Sequence, residues 1–268
     1  MNKLTMLDYV KETPGVLRTN IEQYTTLVDP LMKEVQQKEI KRILLIASGS
    51  SHNACYCARS FVEKVSGLEV RIITPYTFTY YENDIKENDL VLVVTQSGLS
   101  TNAIEALKII KKKECKAICL TGNKNSDVKE VADVVIEYGV GKELVGYVTK
   151  GVSSLALFLD LFAIAYSGKT EYLDELKKAA DLNEEMIDQA TNFIQRHYKN
   201  FTSMSWVYSC GAGANYGTAL ESALKIGETI HIPSCCYEIE EYIHGPNLQL
   251  TPQYNVIFFD GNDGASRR

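Results

Sequence analysis

The chain has 268 residues, of which 45% are hydrophobic and 23% charged, a composition typical of one large or two smaller globular domains. The formal net charge of −6 argues against a nucleic-acid partner, because no basic excess is present to neutralise phosphates. Seven cysteines are scattered without a CxxC pair, and the four histidines lie far from them in sequence. This pattern argues against a zinc site and favours reduced thiols in a cytoplasmic protein.

The N-terminal segment and the longest apolar run bear on secretion and on membrane insertion. The N-terminus is polar and charged, so no signal peptide is expected. The longest apolar run, residues 155–166, contains Asp160 and is too short to span a bilayer, which predicts no membrane partner. Residues 1–38 are predicted to form a helical arm that is broken at Thr13-Pro14 and at Asp29-Pro30 and contributes dimer contacts.

From residue 42 the sequence alternates between strand and helix patterns. Five short apolar segments alternate with segments of helical periodicity; the apolar segments are residues 42–47, 69–73, 90–94, 117–120 and 134–136. Such alternation predicts a parallel sheet with helices on both faces, here within a first domain at residues 39–168. Parallel sheets bind ligands at the carboxyl ends of their strands, so the turns after the first and third strands are expected to face one ligand.

One of these turns carries an unusual number of polar groups. Residues 95–101 join an apolar strand to an amphipathic helix and contain four hydroxyls, one side-chain amide and one glycine. The first N–H groups of a helix are unpaired and carry a partial positive charge, so that hydroxyls around them make a cradle suited to a phosphate. A Ser/Thr-rich N-cap is the simpler alternative, but one hydroxyl is enough for a cap.

The second half of the chain repeats the opening pattern. Residues 46–54 and 208–216 both read as a strand, a glycine-containing turn and a helix start, and Gly49 and Gly211 lie 162 positions apart (211 − 49). We therefore expect a linker helix at residues 169–200 and a second domain of the same fold at residues 201–268. This second domain is expected to be truncated, or rebuilt by a partner, because one more strand and helix would normally follow residues 256–259. The predicted fold class is α/β, with two three-layer αβα domains and flavodoxin-like parallel sheets.

Several motifs resemble those of a known family. They are Ser48-Gly49-Ser50-Ser51, residues 95–100, residues 219–228 and His244-Gly245-Pro246. In this order, over roughly residues 40–260, they resemble double sugar-isomerase (SIS) proteins, such as the isomerase half of glucosamine-6-phosphate synthase and the fructosamine-6-phosphate deglycases. No glutaminase domain is found in the chain, so glutamine-dependent amidotransfer is not expected. The chain also ends too early to supply a synthase lysine near its C-terminus. Residues 147–151 look more like the deglycase branch.

The resemblance implies roles for particular residues. The residues matching the family's phosphate-binding turns are Ser50, Ser51, Thr95, Gln96, Ser97 and Ser100. Glu228 matches the base that moves a proton between C1 and C2, His244 matches a histidine linked to ring opening that often enters from the neighbouring subunit, and Lys225 matches a lysine lining the site. Further possible substrate contacts are Gly49, His52, Glu143 and Glu221.

The residues themselves leave simpler readings open. Glu228 and Lys225 could form only an i,i+3 surface ion pair, worth tenths of a kcal/mol, and His244 could be an incidental loop residue. His52 could equally be a surface residue. Apolar neighbours on the helix would raise the pKa of a carboxyl and the nearby ammonium would lower it, and a base poised near neutrality suits proton abstraction next to a carbonyl.

The predicted function is that of a fructosamine 6-phosphate deglycase. It would use no metal or organic cofactor and act as a homodimer or higher homo-oligomer with shared active sites, with the phosphate anchored in the Ser/Thr turns. An aldose–ketose phosphosugar isomerase and a glucosamine-6-phosphate deaminase are alternatives that use the same base. A sugar-phosphate sensor without catalysis is an alternative from another class, and the short C-terminus leaves open whether the chain is active.

Overall fold

The chain forms two compact units, Met1–Leu182 (unit 1) and Asn183–Arg268 (unit 2). The structure, a computed structural model, describes residues 4–36 and 38–264. The parts of the predicted arm and second domain at residues 1–3, 37 and 265–268 therefore lie outside the described residues. Each unit contains its own parallel sheet, as the repeated strand–turn–helix pattern suggests.

The sheet of unit 1 has five strands, all parallel. They are β1 (Arg42–Ala47), β2 (Glu69–Ile73), β3 (Asp89–Thr95), β4 (Ile118–Thr121) and β5 (Val134–Glu137). Their order in the sheet is β2-β1-β3-β4-β5. This is the flavodoxin-like order, in which the chain reverses direction across the sheet between β1 and β3. The predicted α/β class and parallel sheet of the first domain are confirmed.

Helices cover both faces of this sheet. They are α1 (Met6–Glu22), α2 (Tyr24–Val35), α3 (Gly49–Ser66), α4 (Pro75–Tyr80), α5 (Thr101–Lys112) and α6 (Lys150–Ser167), with a 3₁₀ turn at Asp127–Glu130. Alternate residues of β1 point to opposite faces: Ile43 and Leu45 pack with α2, α3 and α6, whereas Leu44 and Ile46 pack with α4 and α5. Unit 1 is therefore a three-layer αβα sandwich.

The predicted breaks at the two N-terminal prolines are wrong. Pro14 lies inside α1 and Pro30 inside α2, and the two helices are separated at Gln23 instead. A proline removes one backbone hydrogen bond from a helix interior. That loss is outweighed by packing, because α1 and α2 both pack against α6 and Pro14 itself is buried there with Tyr9. The expected dimer contacts of this arm stay a prediction.

Helix α6 is the central helix of its layer. It is the only helix among the described residues with the length and apolar composition needed to cross a membrane, and 61% of it is buried inside the structure. Its neighbours are α1, α2 and α3. A helix that is apolar on most sides and enclosed by others has the pattern of a buried core helix.

Unit 2 has a smaller parallel sheet, ordered β7-β6-β8. Its strands are β6 (Trp206–Gly211), β7 (Ser234–Glu238) and β8 (Tyr254–Phe259), and α9 (Ala214–Thr229) packs against all three. The other helices of the chain are α7 (Leu173–Arg196), which begins in unit 1 and ends in unit 2, α8 (Tyr198–Thr202) and α10 (Ile239–Ile243). There are 3₁₀ turns at Thr170–Tyr172 in unit 1 and at Pro246–Gln249 in unit 2. The strand and helix start predicted at residues 208–216 correspond to β6 and α9, whereas the sequence of β7 has no apolar run that predicts a strand.

A buried ion pair joins the first residues of β1 and β3. Arg42 Nε and Nη2 donate to the two carboxylate oxygens of Asp89 at 2.9 and 2.6 Å, and the Lys86 N–H donates to the same carboxylate at 2.7 Å. Burial by itself raises the pKa of Asp89, but these hydrogen bonds outweigh it and hold the pKa below its ordinary value. The pair therefore favours the folded state only while Asp89 is ionised.

We expect Asp89→Asn to destabilise the protein by about 3–5 kcal/mol at pH 7, because it leaves a buried guanidinium without its counter-charge. The contribution of Asp89 is fully present above the unfolded-state pKa of about 4 and is lost as the pH falls through the lower folded-state value. Urea unfolding at pH 7 and between about pH 5 and 3 measures both effects. Glu39→Gln, which removes a carboxylate from an exposed pair with Lys41, is the control and should change stability by less than about 0.5 kcal/mol. An equally small effect of Asp89→Asn would contradict the assignment.

Candidate functional site

Two strand-to-helix turns of unit 1 open on the same cleft. One joins β1 to α3 and the other joins β3 to α5, and β1 and β3 are paired in parallel up to Ala47 and Val94. The order of the sheet reverses between these two strands, which is where open α/β sheets bind ligands. The cleft has a volume of about 1140 Å³ and is lined by both turns and by the loop that follows β5.

Most of the cradle residues predicted from the sequence lie in this cleft. The predicted residues that line it are Ser50, Ser51, Thr95, Gln96, Ser97, Ser100 and Glu143. Gly49 and His52 are not among its lining residues, although both belong to α3. The ring of His52 packs against Tyr56 with 5.0 Å between centroids, and burial lowers the pKa of His52 against an opposing hydrogen bond with Asn53. His52 is therefore a half-buried side chain that packs against Tyr56 and does not line the cleft.

The starts of both helices are left uncapped by their own side chains. Ser48 is the N-cap of α3 and Ser100 the N-cap of α5, and neither makes a side-chain capping hydrogen bond. Elsewhere in unit 1 the N-caps Thr5 and Thr74 do make that bond. A helix start has N–H groups without partners inside the helix, so these two starts differ from an ordinary Ser/Thr cap and can accept an anion.

The turn after β1 is shorter than the sequence pattern predicts. Residues 48–53 were expected to form the turn, but α3 already begins at Gly49. Gly49 has a φ of 56°, a left-handed conformation that glycine adopts without steric cost and that lets the chain enter the helix directly after the strand. Ser50 and Ser51 are therefore in the first helical turn and are both buried.

The turn after β3 is packed tightly against the segment that follows β4. Gly98 has a φ of 68°, and a Cβ atom at this position would lie 1.7 Å from Ser126 Oγ. Ser126 Oγ is itself directed at the Asn123 carbonyl, to which it donates at 2.5 Å, and the Val128 N–H donates to the Gly98 carbonyl at 3.2 Å. The backbone of residues 96–100 is thus held by the contacts of Gly98 with Ser126 and Val128, in addition to its connection to α5.

Gln96 takes part in a hydrogen-bond network with the opposite wall of the cleft. Its Nε2 donates to Glu143 Oε1 at 2.8 Å, and its Oε1 accepts from the Tyr138 hydroxyl at 3.0 Å. Glu143 also accepts from the N–H groups of Thr149 and Lys150 at 2.9 and 2.7 Å. Glu143 therefore caps the start of α6. The sequence pattern predicted a contact between Glu143 and the substrate and gave no indication of this capping role.

Helix α1 holds the loop between β5 and α6. Asn20 Nδ2 donates to the Gly139 carbonyl at 3.1 Å, and the Leu144 N–H donates to the Tyr9 hydroxyl at 3.0 Å. Lys150 Nζ, which is buried, pairs with Glu12 at 2.8 Å. Sequence analysis missed Tyr9, Glu12 and Asn20, because each contacts a residue more than a hundred positions away and no local pattern reports such a contact.

In unit 2, three charged residues of α9 form a cluster. Lys225 Nζ lies 2.7 Å from Glu228 Oε2 and 3.2 Å from Glu221 Oε1. The side chains of Lys225 and Glu221 are 15% and 14% exposed, and that of Glu228 is 34% exposed. An ion pair between Lys225 and Glu228 is therefore present, but it lies in a partly buried cluster with Glu221 and is not the freely solvated pair of the simpler reading.

His244 has a different environment within unit 2. It is the C-cap of α10, and its side chain is 67% exposed with Nε2 3.7 Å from Glu240 Oε1. The carboxylate of Glu238 accepts from the N–H groups of Glu240 and Glu241 and caps the start of the same helix. His244 and Glu228 thus have different charged neighbours. The neighbour of His244 is Glu240, and that of Glu228 is Lys225.

Comparison with known proteins agrees with this geometry. The family of SIS domains matches residues 38–165, which include the whole sheet of unit 1 and both turns of the cleft. A solved structure of a candidate phosphosugar isomerase from Clostridium difficile 630 superimposes with a TM-score of 0.87 and 27% identity, covering 99% of this chain and 78% of that one.

Curated relatives point in the same direction. The glutamine–fructose-6-phosphate aminotransferase (isomerizing) of Sulfurisphaera tokodaii is 25% identical over 97% of this chain and 43% of its own length. The enzyme of the same name from Caldanaerobacter subterraneus subsp. tengcongensis is 28% identical over 82% of this chain and 37% of its own length. The chain thus spans about two fifths of the length of these relatives.

The SIS match does not extend into unit 2, so that a second SIS domain at residues 201–268 stays a prediction. In unit 1 the match, the flavodoxin-like strand order and the position of the cleft agree. Residues 38–165 therefore match the SIS domain family in sequence.

Proposed function

We propose that the cleft of unit 1 binds the phosphate group of a phosphosugar. The observation that carries this proposal is the convergence of two uncapped helix starts, those of α3 and α5, on one cleft. A phosphate accepts several hydrogen bonds, and bonds to an ionised group are about twice as strong as neutral ones. The hydroxyls that surround the two helix starts are those of Ser50, Ser51, Thr95, Ser97 and Ser100.

The rigidity of the turn supports the same proposal. Residues that must be ordered when a ligand binds reduce its affinity, whereas a site formed in advance avoids that cost. The contact of Gly98 with Ser126 and the hydrogen bond from Val128 hold the turn after β3. Its backbone donors therefore keep their directions before a phosphate arrives.

For catalysis, we propose that Glu228 is the base. In a fructosamine 6-phosphate, the base takes a proton from C1 to give an enaminol, and return of the proton to C2 gives an imine at C1. Water then cleaves the C1–N bond of the imine, which releases glucose 6-phosphate and the free amine. Lys225 supports this role because its ammonium lies 2.7 Å from Glu228 Oε2 and holds the carboxylate in place on α9.

The remaining parts of the proposal rest on the resemblance of the motifs. His244 is proposed to assist opening of the sugar ring, since an imidazole can carry a proton at neutral pH. The enzyme is proposed to be cytoplasmic, to act without a metal or organic cofactor, and to form a homodimer or higher homo-oligomer with shared active sites.

Two alternatives use the same cleft. An aldose–ketose isomerase is favoured by the isomerising aminotransferases among the relatives, and a glucosamine-6-phosphate deaminase requires the same proton transfer. A sensor would bind the phosphosugar without turnover. The products formed from fructosamine 6-phosphate, fructose 6-phosphate and glucosamine 6-phosphate distinguish the enzymes, and binding without any product identifies the sensor.

The first prediction for the cleft concerns the serine hydroxyls at the starts of α3 and α5. We expect Ser51→Ala and Ser100→Ala each to weaken the binding of fructose 6-phosphate by roughly 10- to 100-fold, because each removes a hydrogen bond to a charged group. Isothermal titration calorimetry measures the dissociation constant. Ser66→Ala, at the other end of α3, is the control and should bind as the wild type does, whereas fructose without phosphate should not compete. Unchanged dissociation constants in both cradle variants would refute the phosphate site.

The second prediction concerns the turn after β3. Gly98→Ala is expected to lower stability by about 1–3 kcal/mol and to weaken fructose 6-phosphate binding, because it combines a positive φ with a steric clash against Ser126. Gly67→Ala is the matched control, since Gly67 has a φ of 75° but open space around its Cβ position. It should lose stability through the backbone strain alone and keep its affinity. Equal affinities of the two variants would contradict a preformed turn.

The third prediction concerns the base. We expect Glu228→Gln to reduce the turnover of fructosamine 6-phosphate by roughly 10²- to 10⁴-fold, the usual contribution of a positioned base. The release of glucose 6-phosphate is followed with a coupled assay. Retained binding of fructose 6-phosphate would show that the variant is folded. A turnover equal to that of the wild type would exclude Glu228 as the base.

A further inference from the structure

We propose that Glu143 is a positioning residue for the cleft. It fixes the side-chain amide of Gln96 so that the amide presents its remaining N–H, and not its oxygen, to a phosphosugar. This inference rests on the proposed function of the cleft. It assigns Glu143 a role through Gln96 and not a contact with the sugar.

The orientation of the Gln96 amide follows from the chemistry of its two partners. An ionised glutamate can only accept hydrogen bonds, so the group that faces Glu143 must be the Nε2 of Gln96, as its 2.8 Å contact shows. The other end of the amide accepts from the Tyr138 hydroxyl. Burial raises the pKa of Tyr138, with a further contribution from the charge of Glu143, so this hydroxyl keeps the proton that it donates.

Nε2 carries two hydrogens, and Glu143 accepts only one of them. Gln96 lines the cleft, and its Oε1 already accepts a hydrogen bond from the Tyr138 hydroxyl. Nε2 therefore has one N–H left to donate. A donor is the group that a phosphate or sugar oxygen requires, whereas a flipped amide would offer an acceptor to the ligand.

Glu143 is itself held in place by the start of α6. Two backbone N–H groups, from Thr149 and Lys150, donate to its two carboxylate oxygens. These N–H groups lie at the positive end of the helix and compensate the negative charge of Glu143, which would otherwise disfavour an anion in the same cleft. Because α6 is the central helix of its layer, the position of Gln96 is tied to the core of unit 1.

Gly151 provides the space for this arrangement. A Cβ atom at residue 151 would lie 1.7 Å from Gln96 Oε1 and 2.6 Å from its Cδ. The end of the Gln96 side chain can move, so an alanine at this position would displace the amide and leave the backbone of α6 in place. Alanine is also the better helix former, which makes Gly151→Ala a way to move Gln96 without unfolding the protein.

The test is a set of double-mutant cycles read out by the dissociation constant of fructose 6-phosphate. We expect Glu143→Ala, which removes the acceptor of Gln96 Nε2, and Gly151→Ala each to weaken binding about tenfold, the effect of one lost hydrogen bond to a charged group. In a Gln96→Ala background neither change should weaken binding further, because the amide that they position is absent. Gly151→Ala should keep the melting temperature of the wild type, and the exposed-residue control Glu171→Ala should keep both stability and affinity.

The outcomes separate this role from the proposed function. Binding of fructose 6-phosphate by the wild type, with unchanged affinity in Gly151→Ala and Glu143→Ala, would overturn the positioning role alone. Losses that add to that of Gln96→Ala would also overturn it, because they would show that Glu143 acts only by capping α6. A wild type that binds neither fructose 6-phosphate nor inorganic phosphate would overturn the proposed function and, with it, this role.

Discussion

The parallel pairing of β1 with β3 is the constraint on which the cleft depends. It places the ends of two strands side by side, and the helices that follow must both begin at that edge of the sheet. The N-terminal ends of α3 and α5 are then brought together, and the side chains of the N-cap residues Ser48 and Ser100 do not cap them. An anion at this edge of the sheet would interact favourably with both helix ends, which is the basis of the proposed phosphate site.

The walls of the cleft come from distant parts of the chain. The turn after β3 rests on the segment after β4 through Gly98 and Ser126, and the loop after β5 is held by Glu143 and by Tyr9 of α1. Each contact removes freedom from a segment that would otherwise be a mobile loop. Helix α1 is thus part of the support of the cleft, in addition to covering α6.

Unit 2 contributes a different kind of chemistry. Its partly buried cluster of Glu221, Lys225 and Glu228 places one ammonium within 3.2 Å of two carboxylates. Limited access of solvent distinguishes this cluster from a freely solvated surface ion pair, which contributes little to stability. The SIS match covers residues 38–165 of unit 1, whereas the proposed role of Glu228 stays a proposal that rests on its motif and on its place in this cluster.

The sequence by itself determined the α/β class, the five strands of the first sheet and the two hydroxyl-rich turns, because apolar runs and clusters of Ser and Thr are local signals. Only the tertiary structure decided that α1 and α2 continue through Pro14 and Pro30, since packing against α6 outweighs the missing hydrogen bonds. It also showed that the side chains of Gln96 and Glu143 are hydrogen-bonded to each other. Those residues are 47 positions apart, and their contact depends on how the loop after β5 folds back over the sheet, which no periodicity in the chain encodes.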